Sequence, residues 1–119
     1  MSHRQELESA RFAYDGLERV IHEKARLGIL TSLATNAEGL RFAELKQLCA
    51  LTDGNLNRHL RALAEAQLVV VDKVGEGRGS TTSVQLTEIG RQRFLEYLDE
   101  LQRVVSDARP ATQRLAPQS

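Results

Sequence analysis

Apolar residues recur at helical spacing along most of the chain and switch to strand-like alternation once, after residue 67. Leu7, Ala10, Tyr14, Leu17 and Ile21 alternate steps of three and four, which predicts a helical seam over residues 4–22. Asp15 and Glu18 have the spacing of an aspartate capping box, so this helix is expected to break and restart there. From Glu23 to about Thr35, Ala25, Leu27, Ile29, Leu30, Leu33 and Ala34 form a broad apolar face, the pattern of a buried core helix. Asn36 or Gly39 then suits a left-handed turn. Leu40-Arg41-Phe42 reads as a short extended link. Residues 43–50 read as a two-turn helix with Leu45, Leu48 and Cys49 inward and a poor N-cap, since Arg41 and Phe42 stand where Ser or Thr is preferred.

Residues 51–69, LTDGNLNRHLRALAEAQLV, organise the rest. Thr52 is a good N-cap, and Leu56, Leu60 and Leu63 follow at i, i+4 and i+7 as one apolar stripe. The opposite face carries Gly54, Asn55, Arg58, Arg61 and Glu65, with Asn57 at its border. His59 flanks the leucines, as a packed or capping side chain. After Gln67 the period changes: 68–74 is rich in valine and 81–86 alternates, with GEGRGS (75–80) as a Gly-rich turn between them. Thr87-Glu88 caps a last helix to about Ala108, with Phe94, Leu98, Leu101, Val105 and Ala108 at heptad-like spacing. Residues 109–119 hold Pro110 and Pro117 without periodicity and read as a flexible tail.

Helix, tight turn and second helix with a polar outward face make a helix-turn-helix, and the two strands after it make a β-hairpin wing. The expected fold is therefore mainly α with a small β-hairpin wing (α+β). It is a winged helix-turn-helix with N- and C-terminal dimerisation helices. The expected domain spans 1–108, with its core at about 23–87.

Composition narrows the function. With 119 residues there is room for one domain. Lys plus Arg equals Asp plus Glu at 16 each, so any nucleic-acid contact has to rest on a local basic face. Three Phe, two Tyr and no Trp argue against an aromatic platform for single strands. Cys49 is the single cysteine, and with no Cys or His at ligand spacing no metal site and no cofactor are expected. It reads as a buried, inert thiol in a reducing, cytoplasmic setting. There is no apolar run of membrane-spanning length, and MSHRQELESA has none of the features of a signal peptide. The glycines at 75, 77 and 79 precede a strand, whereas a dinucleotide loop precedes a helix. No nucleophile–base or carboxylate pair suggests a catalytic cleft, so an enzyme is not expected.

Amides and guanidiniums are the groups that reach adenine and guanine edges in a major groove. Asn55, Asn57, Arg58 and Arg61 are thus candidates for reading bases or fixing register, with Thr52 and Gly54 at the helix start. Lys73, Arg78, Ser80, Thr81 and Thr82 could hold phosphates, with Asp72 and Glu76 nearby opposing them. IHEKARLGILTSLA (21–34), LRFAELKQLCALTDGNLNRHLRALAEAQLV (40–69) and VQLTEIGRQRF (84–94) resemble the MarR-like winged-helix regulators, which share features with ArsR-type repressors. The resemblance covers roughly residues 17–100. It implies a DNA-facing surface at 53–63 and 73–82 and a homodimer. The cysteine-based metal site of many ArsR-type repressors is absent. Lys24 stands where relatives often have proline, which predicts that the first two helices run on as one.

The expected function is a dimeric regulator, repressor or activator, on a near-palindromic duplex operator. The expected dimer seam comprises Leu7, Tyr14, Leu17, Phe94, Leu98, Leu101 and Val105. The alternative for both seams is folding back on their own domain. The alternative function is a protein-interaction module that binds no DNA, and a small-molecule effector is left open.

Overall fold

Each helix starts where a carboxylate or hydroxyl takes over a free backbone N–H. The computed structural model describes residues 9–75 and 81–115. Helix α1 (Lys24–Ala34) begins at Glu23, whose Oε1 accepts the Arg26 N–H at 3.0 Å. Helix α3 (Asp53–Glu65) begins at Thr52, whose Oγ1 accepts from the Asn55 N–H at 3.2 Å. Between them, helix α2 (Phe42–Cys49) starts without Ser or Thr, and the Glu44 carboxylate reaches back to the Arg41 N–H at 2.8 Å instead. That bond holds the Glu44 carboxyl below its ordinary range against the opposing effect of burial, and the Arg41 guanidinium adds to it. The weak cap read from Arg41 and Phe42 is thus supplied from three residues downstream.

Three strands form an antiparallel sheet in the order β1-β3-β2: β1 (Leu40–Arg41), β2 (Val69–Val74) and β3 (Thr81–Leu86). The wing pairs Val69 with Leu86 through to Val74 with Thr81, and Leu40 of the extended link adds to it opposite Val84. Gly39 makes the preceding turn at φ +95°, where a Cβ would also strike Gln85 and the Val84 carbonyl. Ile29, Leu30 and Leu33 of α1, Leu45 of α2, and Leu56, Leu60 and Leu63 of α3 close one core with Leu68 and Val84. These are the three helices of the helix-turn-helix read from the leucine spacing, now packed on the root of the wing.

The last helix, α4 (Glu88–Leu115), begins at Thr87, whose Oγ1 accepts the Gly90 N–H at 2.8 Å. It passes Ala108 and Pro110, where the sequence predicts a tail; residues 116–119 lie outside the described residues. Proline's fixed φ is compatible with a helix and forfeits one backbone bond, and ATQRL beyond it contains good helix formers. Phe94 and Tyr97 are its buried anchors, their rings 6.1 Å apart. Burial pushes the Tyr97 phenol up, so it remains neutral.

The N-terminal seam is not a helix among the described residues. Residues 9–23 run through successive turns, with Ala10 (φ +65°) and Tyr14 (φ +51°) in the left-handed region that interrupts any regular helix. The segment is a strap along α4 in place of a continuation into α1. Tyr14 Oη donates to Asp107 at 2.6 Å, and the Gly16 N–H donates to Glu100 at 2.8 Å. Glu18 pairs with Arg93 rather than capping a helix, and His22 Nδ1 lies 2.8 Å from Tyr97 Oη. Gly16 has no room for a Cβ, which would come within 2.9 Å of Glu100. Of the periodic set, Ile21 is fully buried and Leu17 packs on the core, whereas Ala10 is exposed.

Two inward assignments in α2 also change. Phe42, Leu45 and Cys49, spaced three and four, make its inward stripe, so Leu48 falls beside that stripe and is 62% exposed. Cys49 is half-buried, not enclosed.

Gly90 and Gly54 are expected to respond in opposite ways to alanine. A Cβ at 90 would stand 2.0 Å from the Leu68 carbonyl oxygen, whereas at 54 it meets nothing within 4 Å. Gly90→Ala should cost about 3 kcal/mol, at the upper end for overpacking. Gly54→Ala should add about 0.5 kcal/mol by restricting the unfolded chain. Urea melts of both variants check this, and equal effects would refute the packing account.

Candidate nucleic-acid interface

Because the leucines of α3 face inward, its remaining positions are displayed together. Gly54, Asn55, Asn57, Arg58, Arg61 and the cap residue Thr52 are all exposed. Arg58 Nη2 lies 3.5 Å from Asn55 Oδ1, one turn apart on the same face. Asp53, acidic in the positive first turn, takes a salt bridge from Lys46 of α2 at 2.8 Å and so ties the two helices together. Among the described residues, no carboxylate forms a salt bridge with Arg58, Arg61 or Lys73. A formal charge of zero is thus compatible with Arg58, Arg61 and Lys73 lacking a carboxylate partner among the described residues.

The wing strands continue this surface. Asn57 and Arg61 line a shallow depression of about 270 Å³ together with Phe42, Leu60, Ala64, Val71 and Thr82. Lys73 pairs across the sheet with Thr82 and, two residues from Val71, shares its face. Thr81 is exposed on the opposite face of β3. It borders a second depression of about 380 Å³ with Arg41, Phe42, Ala43, Glu44 and Thr82. Arg78 and Ser80, assigned to the wing tip, lie outside the described residues. Arg41 and Val71 are on this surface without having been singled out from sequence. Strand alternation from buried Val69 would have placed Val71, but the extent of its exposure depends on how far α3 reaches over the sheet.

His59 belongs to α3 but points inward and is 3% exposed. Its Nδ1 accepts the Arg26 Nε–H at 3.3 Å, and Nε2 lies 3.6 Å from Glu23 Oε2. Burial pushes the imidazole below its ordinary range, against the opposing pull of Glu23.

The residues assigned to a dimer seam separate into two groups. Phe94 is buried, and Leu17 and Leu101 pack on the same core, so their apolar surface is used within the domain. Tyr14 is committed to Asp107, and Leu7 lies outside the described residues. Val105 is half-buried and Leu98 is 37% exposed. Leu95, not part of the expected seam, is 57% exposed. Leu95, Leu98 and Val105 thus lie on one flank of α4 beside the core-facing one. No helix among the described residues is long and apolar enough to cross a membrane.

Known proteins share this fold. The family of winged helix DNA-binding domains matches residues 25–105. An uncharacterized protein of Methanocaldococcus jannaschii is 36% identical over 84 residues, 70% of this chain and 89% of that protein. The structure of a transcriptional regulator homologue from Pyrococcus horikoshii OT3 superposes with a TM-score of 0.70 at 29% identity, covering 76% of this chain and 88% of that one. The repressor CouR, solved on a 23-mer DNA duplex, shares the fold at a TM-score of 0.60 and 19% identity, over 96% of this chain and 89% of its own. Other structures with this fold are MarR-family regulators, as the sequence resemblance implies. The chain belongs to the winged helix DNA-binding domain family, and its fold is that of transcriptional regulators rather than of enzymes.

Proposed function

We propose that this chain is a cytoplasmic transcriptional regulator that binds double-stranded DNA as a homodimer, with α3 in the major groove and the wing on the flanking backbone. The observation that carries this reading is the exposed polar face of α3 and its continuity with β2 and β3. Arg58 and Arg61 can donate to guanine O6 and N7, and Asn55 and Asn57 can bond adenine N6 and N7. Thr52 and Gly54, exposed at the start of α3, would let its backbone approach a phosphate closely. Lys73 and Thr81, with Arg78 and Ser80, supply backbone contacts from the wing. CouR, with the same fold, is a repressor seen on duplex DNA, which supports the reading for this chain.

The second subunit completes the mechanism. Leu95, Leu98 and Val105 leave an apolar stripe on α4, and burying a large aliphatic side chain gains about 1.5–3 kcal/mol. Pairing through this stripe about a two-fold axis would set two α3 helices about 34 Å apart on one face of a near-palindromic operator.

Selection of duplexes from a random-sequence library, read at two salt concentrations, tests the function. A winged-helix module that binds protein instead would select no sequence and show no salt-dependent DNA affinity.

Arg58→Ala should weaken binding to the selected duplex by about 1–3 kcal/mol, measured by fluorescence anisotropy. Unchanged affinity in a folded variant would remove Arg58 from base reading. Lys73→Ala and Arg78→Ala should instead weaken all duplexes alike and lower the salt slope by about one each. Replacing Leu95 and Leu98 together by Glu should give a folded monomer by light scattering, with specific affinity lost and weak non-specific binding kept. A monomeric wild type at micromolar concentration would rule out the dimer.

A further inference from the structure

His59 is the polar link in a seam otherwise made of leucines. The other buried residues of α3 are Leu56, Leu60 and Leu63. Both partners of the imidazole belong to the start of α1. Glu23 caps that helix through Oε1 and approaches His59 with Oε2. Arg26 donates its Nε–H to His59 Nδ1 and its Nη1–H to the Val20 carbonyl. The neutral tautomer with its proton on Nε2 satisfies this arrangement: Nδ1 accepts from Arg26, and Nε2–H faces Glu23.

A second proton has no place in that geometry. It would go to Nδ1, turning an acceptor into a donor that faces the Arg26 N–H. The resulting cation would sit among Arg26 of α1 and Arg58 of α3 itself, the cations that act on it. Glu23 is the one carboxylate within 4.0 Å of the ring nitrogens among the described residues, and it is already engaged as a cap.

We propose that His59 is a positioning residue, a proton-sensitive latch that holds the DNA-facing side of α3 in place while neutral and releases it from α1 on acidification. This rests on α3 being the DNA-reading helix. The sign follows from linkage. Burial lowers the folded pKa from 6.5, so the latch contributes fully above that value and its contribution is lost as pH falls through the lower, folded one. Surface histidines act the other way, since gaining positive charge strengthens binding to phosphates. Acid-weakened specific binding is therefore diagnostic.

The test uses the full chain and the duplex it selects from the random library. Affinity is followed from about pH 8 to about pH 5 beside the NMR titration of the imidazole and of the α3 amides. The expected result is that amides of Asn55, Asn57 and Arg58 move with the His59 midpoint. Specific affinity should fall by up to about tenfold per pH unit through it. His59→Asn, whose Oδ1 can accept the Arg26 N–H at every pH, should bind with no such fall. If that variant does not fold, reciprocity still decides on wild type, because bound DNA must lower the His59 pKa. Amides indifferent to the His59 titration would overturn the latch, as would an affinity that rises with acid equally in wild type and variant. Should no duplex be selected, the DNA reading falls, and the amide response by itself supports or overturns the latch.

Discussion

The backbone carbonyl of Leu68 is the point on which the two halves of this domain depend. It accepts the Thr87 N–H at 3.0 Å and lies 3.2 Å from the Thr87 hydroxyl, while the Gly90 backbone packs against it. Leu68 ends the segment leaving α3, and Thr87 opens α4. One acceptor thus fixes the root of the wing, where Val69 faces Leu86, and the direction in which α4 departs. Only glycine allows a helix to come this close. With that contact made, Phe94 and Tyr97 reach the core, and the hairpin projects beside α3 rather than away from it.

Charge is sorted around this frame rather than spread evenly. The carboxylates of Glu18, Glu23, Glu44, Asp53 and Glu100 are engaged in caps and ion pairs. Arg58, Arg61 and Lys73 form no such pair among the described residues and face outward from α3 and the wing. A balanced total is therefore compatible with a locally basic surface, because acids spent on internal contacts cannot offset cations elsewhere.

The sequence was readable wherever one physical rule governed a segment. Leucine spacing, Thr52 and Thr87 marked α3 and α4, since caps and buried stripes leave local signatures. Reading failed where long-range contacts overrode local pattern. Leu17 and Ile21 do face the core, but Gly16 and the carboxylates of Asp107 and Glu100 favour turns against α4 over a helix. Leu95 and Leu98 could be told from Phe94 and Leu101 only once the core had a direction. The exposed polar residues of α3 followed from its stripe, whereas Arg41 joins that surface through tertiary packing, and the exposure of Val71 depends on how far α3 reaches over the sheet.

The strap has a consequence for the order in which the molecule can be completed. Its partners on α4 lie 75 to 93 residues further along the chain. Contacts of such separation raise contact order and form late. Synthesis at about 5–20 residues per second puts about 4 to 17 seconds between emergence of Gly16 and that of Glu100. During that interval α1, α2 and α3 can associate through neighbouring contacts, while the core flank that Phe94 and Tyr97 cover stays open. A nascent chain stalled before α4 would therefore present a formed helix-turn-helix with an open apolar side, the kind of surface that chaperones recognise.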